Sequence, residues 1–250
     1  MEDDEDADQD DALLLLHGPH GAGQTSLLLQ YGFSRAKAGH AVVMVLHSDG
    51  SGQRNPRPAI VPLTPCASCG LPNKTGGDND VWRRIQIKYF STSAELQHFV
   101  YALQLTQPTP AVLLIDAIDR YFPDGASSMV FQTMAYLLEA RRFMAIQNAT
   151  GNVGEVVLAG DSHSFMLSAG RSHALRRWCR LLCIERHEVS GVLLPDQYTL
   201  REDDVVHDYD EQSLGNSKSA RVTYSFAPNG QEGANGVFQL LSVIRPSSSV

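Results

Sequence analysis

The chain has 250 residues, enough for one α/β domain or one domain with tails, and at 43% hydrophobic most of it can build a core. Its first apolar run, Ala12–Leu16, is too short for a transmembrane helix and follows an acidic rather than a basic segment, so no signal peptide is expected. The net charge is −8, but residues 2–11 carry eight carboxylates and residues 202–211 six more, with no Lys or Arg in either, so the remaining body is basic by about six and a nucleic-acid partner is not excluded.

In chain order, residues 1–11 have nothing to bury and are expected to form a disordered acidic tail. ALLLLHG over 12–18 reads as a strand buried on both faces and stopped by glycine. Residues 25–38 place Leu27, Leu28, Tyr31 and Ala38 at roughly helical spacing, and AVVMVL over 41–46 reads as a second buried strand. Residues 48–80 are rich in Gly, Pro, Ser and Asn, which predicts a long flexible loop or insertion. Over 81–90, Ile85, Ile87 and Tyr89 alternate with Arg84, Gln86 and Lys88, the pattern of a half-buried strand. Thr92 and Glu95 fit a capping box that opens a helix to about Leu105. AVLLID over 111–116 is a third buried strand, ending in an acid. A long amphipathic helix over 127–146 and a buried strand over 155–161 follow. Residues 172–189 read as a short basic helix running into a strand, 201–218 as an acidic loop, and 220–244 as a closing hairpin with its turn near Asn229. Strands that alternate with helices as uninterrupted apolar runs predict an α/β domain over 12–250, with a mostly parallel sheet flanked by helices and a C-terminal antiparallel hairpin.

The first strand leads into Gly18-Pro-His-Gly21-Ala22-Gly23-Gln24-Thr25-Ser26. The phosphate-binding loop of nucleotide-binding proteins is G-x-x-x-x-G-K-[ST] between a strand and a helix. Gly18, Gly23 and Thr25 match it, and Gln24 stands at the lysine position. Glycines let backbone N–H groups turn onto phosphates, and the helix N-terminus adds a favourable dipole. Gly18, Gly21, Ala22, Gly23, Gln24, Thr25 and Ser26 are therefore the candidate nucleotide-binding residues, and Thr25 with Asp116 the candidate ligands of magnesium in an ATP–Mg complex. Glutamine brings no charge to the β- and γ-phosphates, which predicts weak nucleotide binding and slow or absent hydrolysis. The strand that ends at His47-Ser48-Asp49-Gly50 offers no glutamate to orient an attacking water, so no catalytic residue is assigned.

This order, a phosphate loop, a helix, a strand, a long loop, then RRIQIKYFSTSAELQHFVYAL and AVLLIDAIDRYF, resembles the RecA-type recombinase family. More narrowly it is similar to the small recombinase paralogues of the Shu-type mediator complex. The resemblance spans roughly residues 12–190. It implies a single RecA-like domain and a nuclear role in homologous-recombination DNA repair. It also implies a SWIM-type zinc-finger protein as partner, binding of single-stranded DNA, and support of the strand-exchange recombinase. Family members are ATPases, an activity that Gln24 argues against here. Two alternatives remain. DNA-stimulated turnover would favour an active ATPase, and phosphoryl transfer to a small acceptor would favour a small P-loop nucleotide or metabolite kinase.

Arg176, Arg177 and Arg180 are the candidate DNA-binding residues, within an arginine-rich run that also holds Arg171 and Arg186. Arg141 and Arg142, and Arg54 and Arg57 in the long loop, are further basic candidates, and Tyr89, Phe90 or Trp178 could stack on bases. Asp161 or His163, after the 155–161 strand, could sense a γ-phosphate. Cys66 and Cys69 have the spacing of a zinc knuckle, but no second pair follows, so free thiols are expected. Met134 and Leu138 on the long helix, and Val237, Phe238 and Leu240 on the hairpin, are candidates for an exposed partner surface. No membrane partner is expected.

Overall fold

The structure, a computed structural model, describes residues 12–49, 79–105, 108–122, 127–148, 154–161, 174–202, 220–227 and 237–244. The acidic segment 1–11, most of the 48–80 loop with Arg54, Arg57, Cys66 and Cys69, His163, Arg171, most of 201–218 and the turn near Asn229 lie outside the described residues.

The nine strands are β1 Leu13–Gly18, β2 Val42–His47, β3 Ile85–Phe90, β4 Val112–Ile115, β5 Glu155–Asp161, β6 Cys179–Val189, β7 Val192–Glu202, β8 Arg221–Ala227 and β9 Val237–Ile244. The helices are α1 Gln24–Lys37, the short α2 Asn79–Trp82, α3 Ser93–Ala102 and α4 Ser127–Gln147. One sheet holds all nine strands in the order β3-β2-β4-β5-β1-β6-β7-β8-β9. Pairing is parallel from β3 to β6 and antiparallel from β6 to β9. This is the predicted α/β class, with a larger antiparallel extension than a single hairpin.

The central strands are apolar on both faces because both faces are covered. One core joins β1, β4 and β5 to α3 and α4. The other joins the opposite face to α1 and to Tyr198, Tyr224, Phe226 and Phe238 of the antiparallel strands. The capping box forms as read: Thr92 Oγ1 accepts from Glu95 N, and Glu95 Oε2 from Thr92 N. Further donation from Ser91 N, also onto Oε2, holds the Glu95 carboxyl below the usual carboxylate range.

Several expectations are corrected. The buried face of α1 is Leu28, Leu29, Gly32, Phe33 and Ala36, while Leu27 and Tyr31 flank it and Ala38 is exposed beyond the helix. Gly32 explains the shift: a Cβ there would stand 2.7 Å from Leu114 Cδ1, so the helix seats on β4 through its glycine. The 81–90 segment is a helical turn followed by β3. That strand is not half-buried, because as the sheet edge it leaves Ile87 and Tyr89 exposed together with Gln86 and Lys88. Met134 and Phe238 are core residues rather than a partner surface, and Leu138 packs partly against the core. The exposed apolar residues of α4 and β9 are instead Met129, Ile146, Leu241, Val243 and Ile244.

Strand β7 was not expected at all. Pro195 and Asp196 interrupt its alternation, and Asp196 takes a positive φ of 56°. They are tolerated because β8 pairs only from Gln197 onward. The β6–β7 connection is the two-residue turn Ser190-Gly191, both at positive φ, which matches the twist of a tight hairpin. Residues 201 and 202 belong to this strand, so the acidic loop does not begin there. Among the described residues no helix is long and apolar enough to cross a membrane.

Candidate functional site

The segment 19–23 leaves the C-terminal end of β1 and enters α1. Gly21 and Gly23 have φ of 81° and 84°, the left-handed geometry that successive inward-facing N–H groups require. The position a Cβ would take on Gly21 has no neighbour within 4 Å, so that side of the loop is open. Ala22 N bonds Pro19 O at 3.2 Å, and Leu27 N bonds Gly23 O at 2.9 Å to begin the helix. The first turn of α1 carries no acidic side chain of its own, which leaves the positive end of its dipole favourable to an anion.

Gln24 Nε2 donates to Pro19 O at 3.0 Å. The amide thus ties the loop's end back to its beginning. It uses a donor to do so and contributes no charge.

Thr25 Oγ1 donates to Asp116 Oδ2 at 2.7 Å, across 91 residues of chain. Asp116 immediately follows β4, and its N–H bonds Val45 O at 2.9 Å. Burial pushes the Asp116 carboxyl above its ordinary range, against the opposing donation from Thr25 and from Ala117 N. Two oxygen donors of the type magnesium prefers therefore meet beside an anion-ready helix terminus. The residues present fit a nucleotide phosphate with magnesium. Ser26, by contrast, is buried in α1.

A tight 3-10 turn over Ile118–Tyr121 follows Asp116. Asp119, within this turn, accepts from Asp161 N at 3.0 Å and so joins the ends of β4 and β5. Asp161 pairs in register with Gly18, which brings it to the base of the loop. At the end of β2, the His47 ring meets Tyr121 edge-on with centroids 5.0 Å apart. Burial, with Arg120 nearby, lowers the His47 pKa, which favours the neutral ring.

No role was expected for the aromatic residues of β8. Tyr224 Oη donates to Ala22 O at 2.8 Å, across 202 residues. A Cβ on Gly23 would stand 2.8 Å from the Phe226 ring, and one on Gly18 would stand 2.6 Å from Ile184 Cβ. The loop glycines are thus required by packing against β6 and β8 as well as by backbone geometry. The available signal was the alternation of Val222, Tyr224 and Phe226, which puts both aromatic rings on one face.

The structure does not bring the DNA-binding candidates to this site. Arg176 and Arg177 precede β6 and Arg180 lies near its start, with Leu13 N bonded to Trp178 O. Since β1 and β6 are parallel, these arginines stand at the opposite end of the sheet from the 19–23 loop. Arg180 is paired with Glu202 at 3.0 Å. It lines a cleft of about 150 Å³ with Tyr31, Arg141 and Glu155. Glu155 there accepts from Tyr31 and Arg35. Trp178 and Phe90 pack partly against the core, while Tyr89 is 41% exposed on the edge strand. The free thiol of Cys179 is buried, which pushes its pKa up to about 12, and Cys183 is half-buried.

No protein-family model and no curated protein matches the chain. Among solved structures, the flagellar accessory protein FlaH from Methanocaldococcus jannaschii is similar, with a TM-score of 0.51 and 11% sequence identity. The likeness covers 95% of this chain and 96% of that one. At this identity it concerns the fold alone, an α/β domain with a mostly parallel sheet and a C-terminal antiparallel extension.

Proposed function

We propose that this RecA-like domain binds ATP with magnesium weakly and turns it over slowly or not at all. The hydrogen bond between Thr25 and Asp116 carries the reading, because it joins a loop hydroxyl and a strand-end carboxylate that are distant in sequence. Thr25 and Asp116 would hold the ion, and Gly21 to Gln24 would offer N–H groups to the phosphates. When bound, magnesium would neutralise phosphate charge. Poor turnover follows from the chain's own groups: Gln24 is neutral and engaged with Pro19, and β2 ends at His47, followed by Ser48 and Asp49, with no glutamate to orient water.

The sequence resemblance, together with the RecA-like fold, supports placing this site in a recombination mediator. In that reading the chain works in the nucleus with a SWIM-type zinc-finger protein, binds single-stranded DNA and assists the strand-exchange recombinase. Charge reversal at both Arg176 and Arg177 should weaken single-strand binding several-fold at low salt and flatten its salt dependence. Unchanged affinity at low salt would remove the arginine end of the sheet from the DNA interface.

For the nucleotide site, Thr25→Ala and Asp116→Asn should each lose the magnesium-dependent part of ATP affinity, with far-ultraviolet circular dichroism unchanged. Binding that stays magnesium-dependent in both variants would show that the ion sits elsewhere.

A further inference from the structure

We propose that Arg186 supplies, from within the same chain, the positive charge that Gln24 does not bring to the nucleotide phosphates. This rests on the nucleotide reading above. Strand β6 has 11 residues and its partner β1 has 6. Their pairing ends at His17 opposite Cys183, so the rest of β6 runs on past the phosphate loop. Ile184 is the residue packed closest against Gly18, where the loop departs.

Arg186 lies two residues beyond Ile184. Alternation puts it on the same face of the sheet, about 7 Å further along. Directly opposite it is Tyr198. That ring is buried and stacks on Tyr224 with centroids 5.6 Å apart. Tyr224 in turn holds the Ala22 carbonyl. Ile184, Tyr198 and Tyr224 thus form the floor beneath the loop, and Arg186 stands at its rim.

Its charge is uncommitted. Arg35, Arg142, Arg180 and Arg201 each pair with a carboxylate. Arg186 is exposed and makes no hydrogen bond or ion pair among the described residues. The neighbouring Glu185 points to the other face and is engaged by Arg201 at 2.7 Å. Glu188, also exposed, is opposite Leu193 beyond a bulge in the strand. Exposure alone describes a solvated side chain. The register beside a phosphate loop that lacks its own cation is what singles this one out. A guanidinium also suits the task, since its planar fork can bind two phosphate oxygens at once.

The test is equilibrium titration of the full chain with ATP–Mg and with AMP. Arg186→Gln should weaken ATP binding at least tenfold and leave AMP binding within twofold, because the guanidinium meets the outer phosphates. Arg186→Lys should recover most of the loss. Melting temperatures should not change, since the side chain is exposed. If Arg186→Gln binds ATP like the wild type while Thr25→Ala loses it, Arg186 has no such role and the nucleotide site stands. If the wild type shows no saturable binding, the nucleotide reading fails and this inference falls with it.

Discussion

Gln24→Lys should tighten ATP–Mg binding by about tenfold. In the wild-type chain the amide donates to Pro19 O and carries no charge toward the open side of the loop. A hydrogen bond between neutral groups contributes about 0.5–1.5 kcal/mol net, whereas one to a charged group contributes about 1.5–3 kcal/mol. The midpoints differ by about 1.25 kcal/mol, which is roughly eightfold to tenfold in affinity. Lysine has three donors, so it can keep the Pro19 contact and still reach a phosphate. The surroundings are ready for it: glycines at positive φ, an open position over Gly21, and a helix start without acids. Titration of the variant beside the wild type measures the gain. An unchanged dissociation constant would mean that phosphates do not lie where the loop points, and the strand–loop–helix would then be structural only.

A large stability effect is expected at the contact between Gly23 and Phe226. Gly23→Ala should cost about 2–5 kcal/mol, the sum of a left-handed backbone and an overpacked contact. The φ is 84°, and the new Cβ would stand 2.8 Å from the Phe226 ring. A domain of this size has about 5–15 kcal/mol in all, so the loss is a large share. Phe226→Ala alone should cost about 3–5 kcal/mol through the cavity it leaves. Combining the two removes the clash but not the backbone strain, so the double variant should be more stable than the sum of the singles by about 1–3 kcal/mol. Urea denaturation of the four proteins gives that coupling. Simple additivity would show that the β8 ring does not support the loop.

The glycine-rich turn between β1 and α1 was legible because its signals are local: an apolar strand, three glycines, a threonine and a helix start within fourteen residues, 13–26. Asp116 was legible because a buried strand ending in acid marks the C-terminal edge of a parallel sheet. The support beneath the loop was not. Tyr224 touches Ala22 across 202 residues, and nothing local in R-V-T-Y-S-F says which partner its aromatic face will meet. Strand β7 was hidden by Pro195 and by the left-handed Asp196, both permitted only because the hairpin outruns its neighbour β8. The alternation in β3 was real, but alternation does not say whether anything covers the apolar side, and at the sheet edge Ile87 and Tyr89 stay exposed. Spacing also placed Arg176, Arg177 and Arg180 together without saying at which end of the sheet. Only the parallel register of β1 and β6 separates them from the loop.

The central claim is that a loop with glutamine at the lysine position still holds a nucleotide. The most direct measurement is equilibrium titration of the purified wild-type chain with a fluorescent ATP analogue, with magnesium and with a chelator. The account predicts saturable binding in the micromolar range or weaker that drops sharply when the metal is removed. No saturable binding in magnesium would contradict it, and would leave the Thr25–Asp116 contact as a structural tie between α1 and β4.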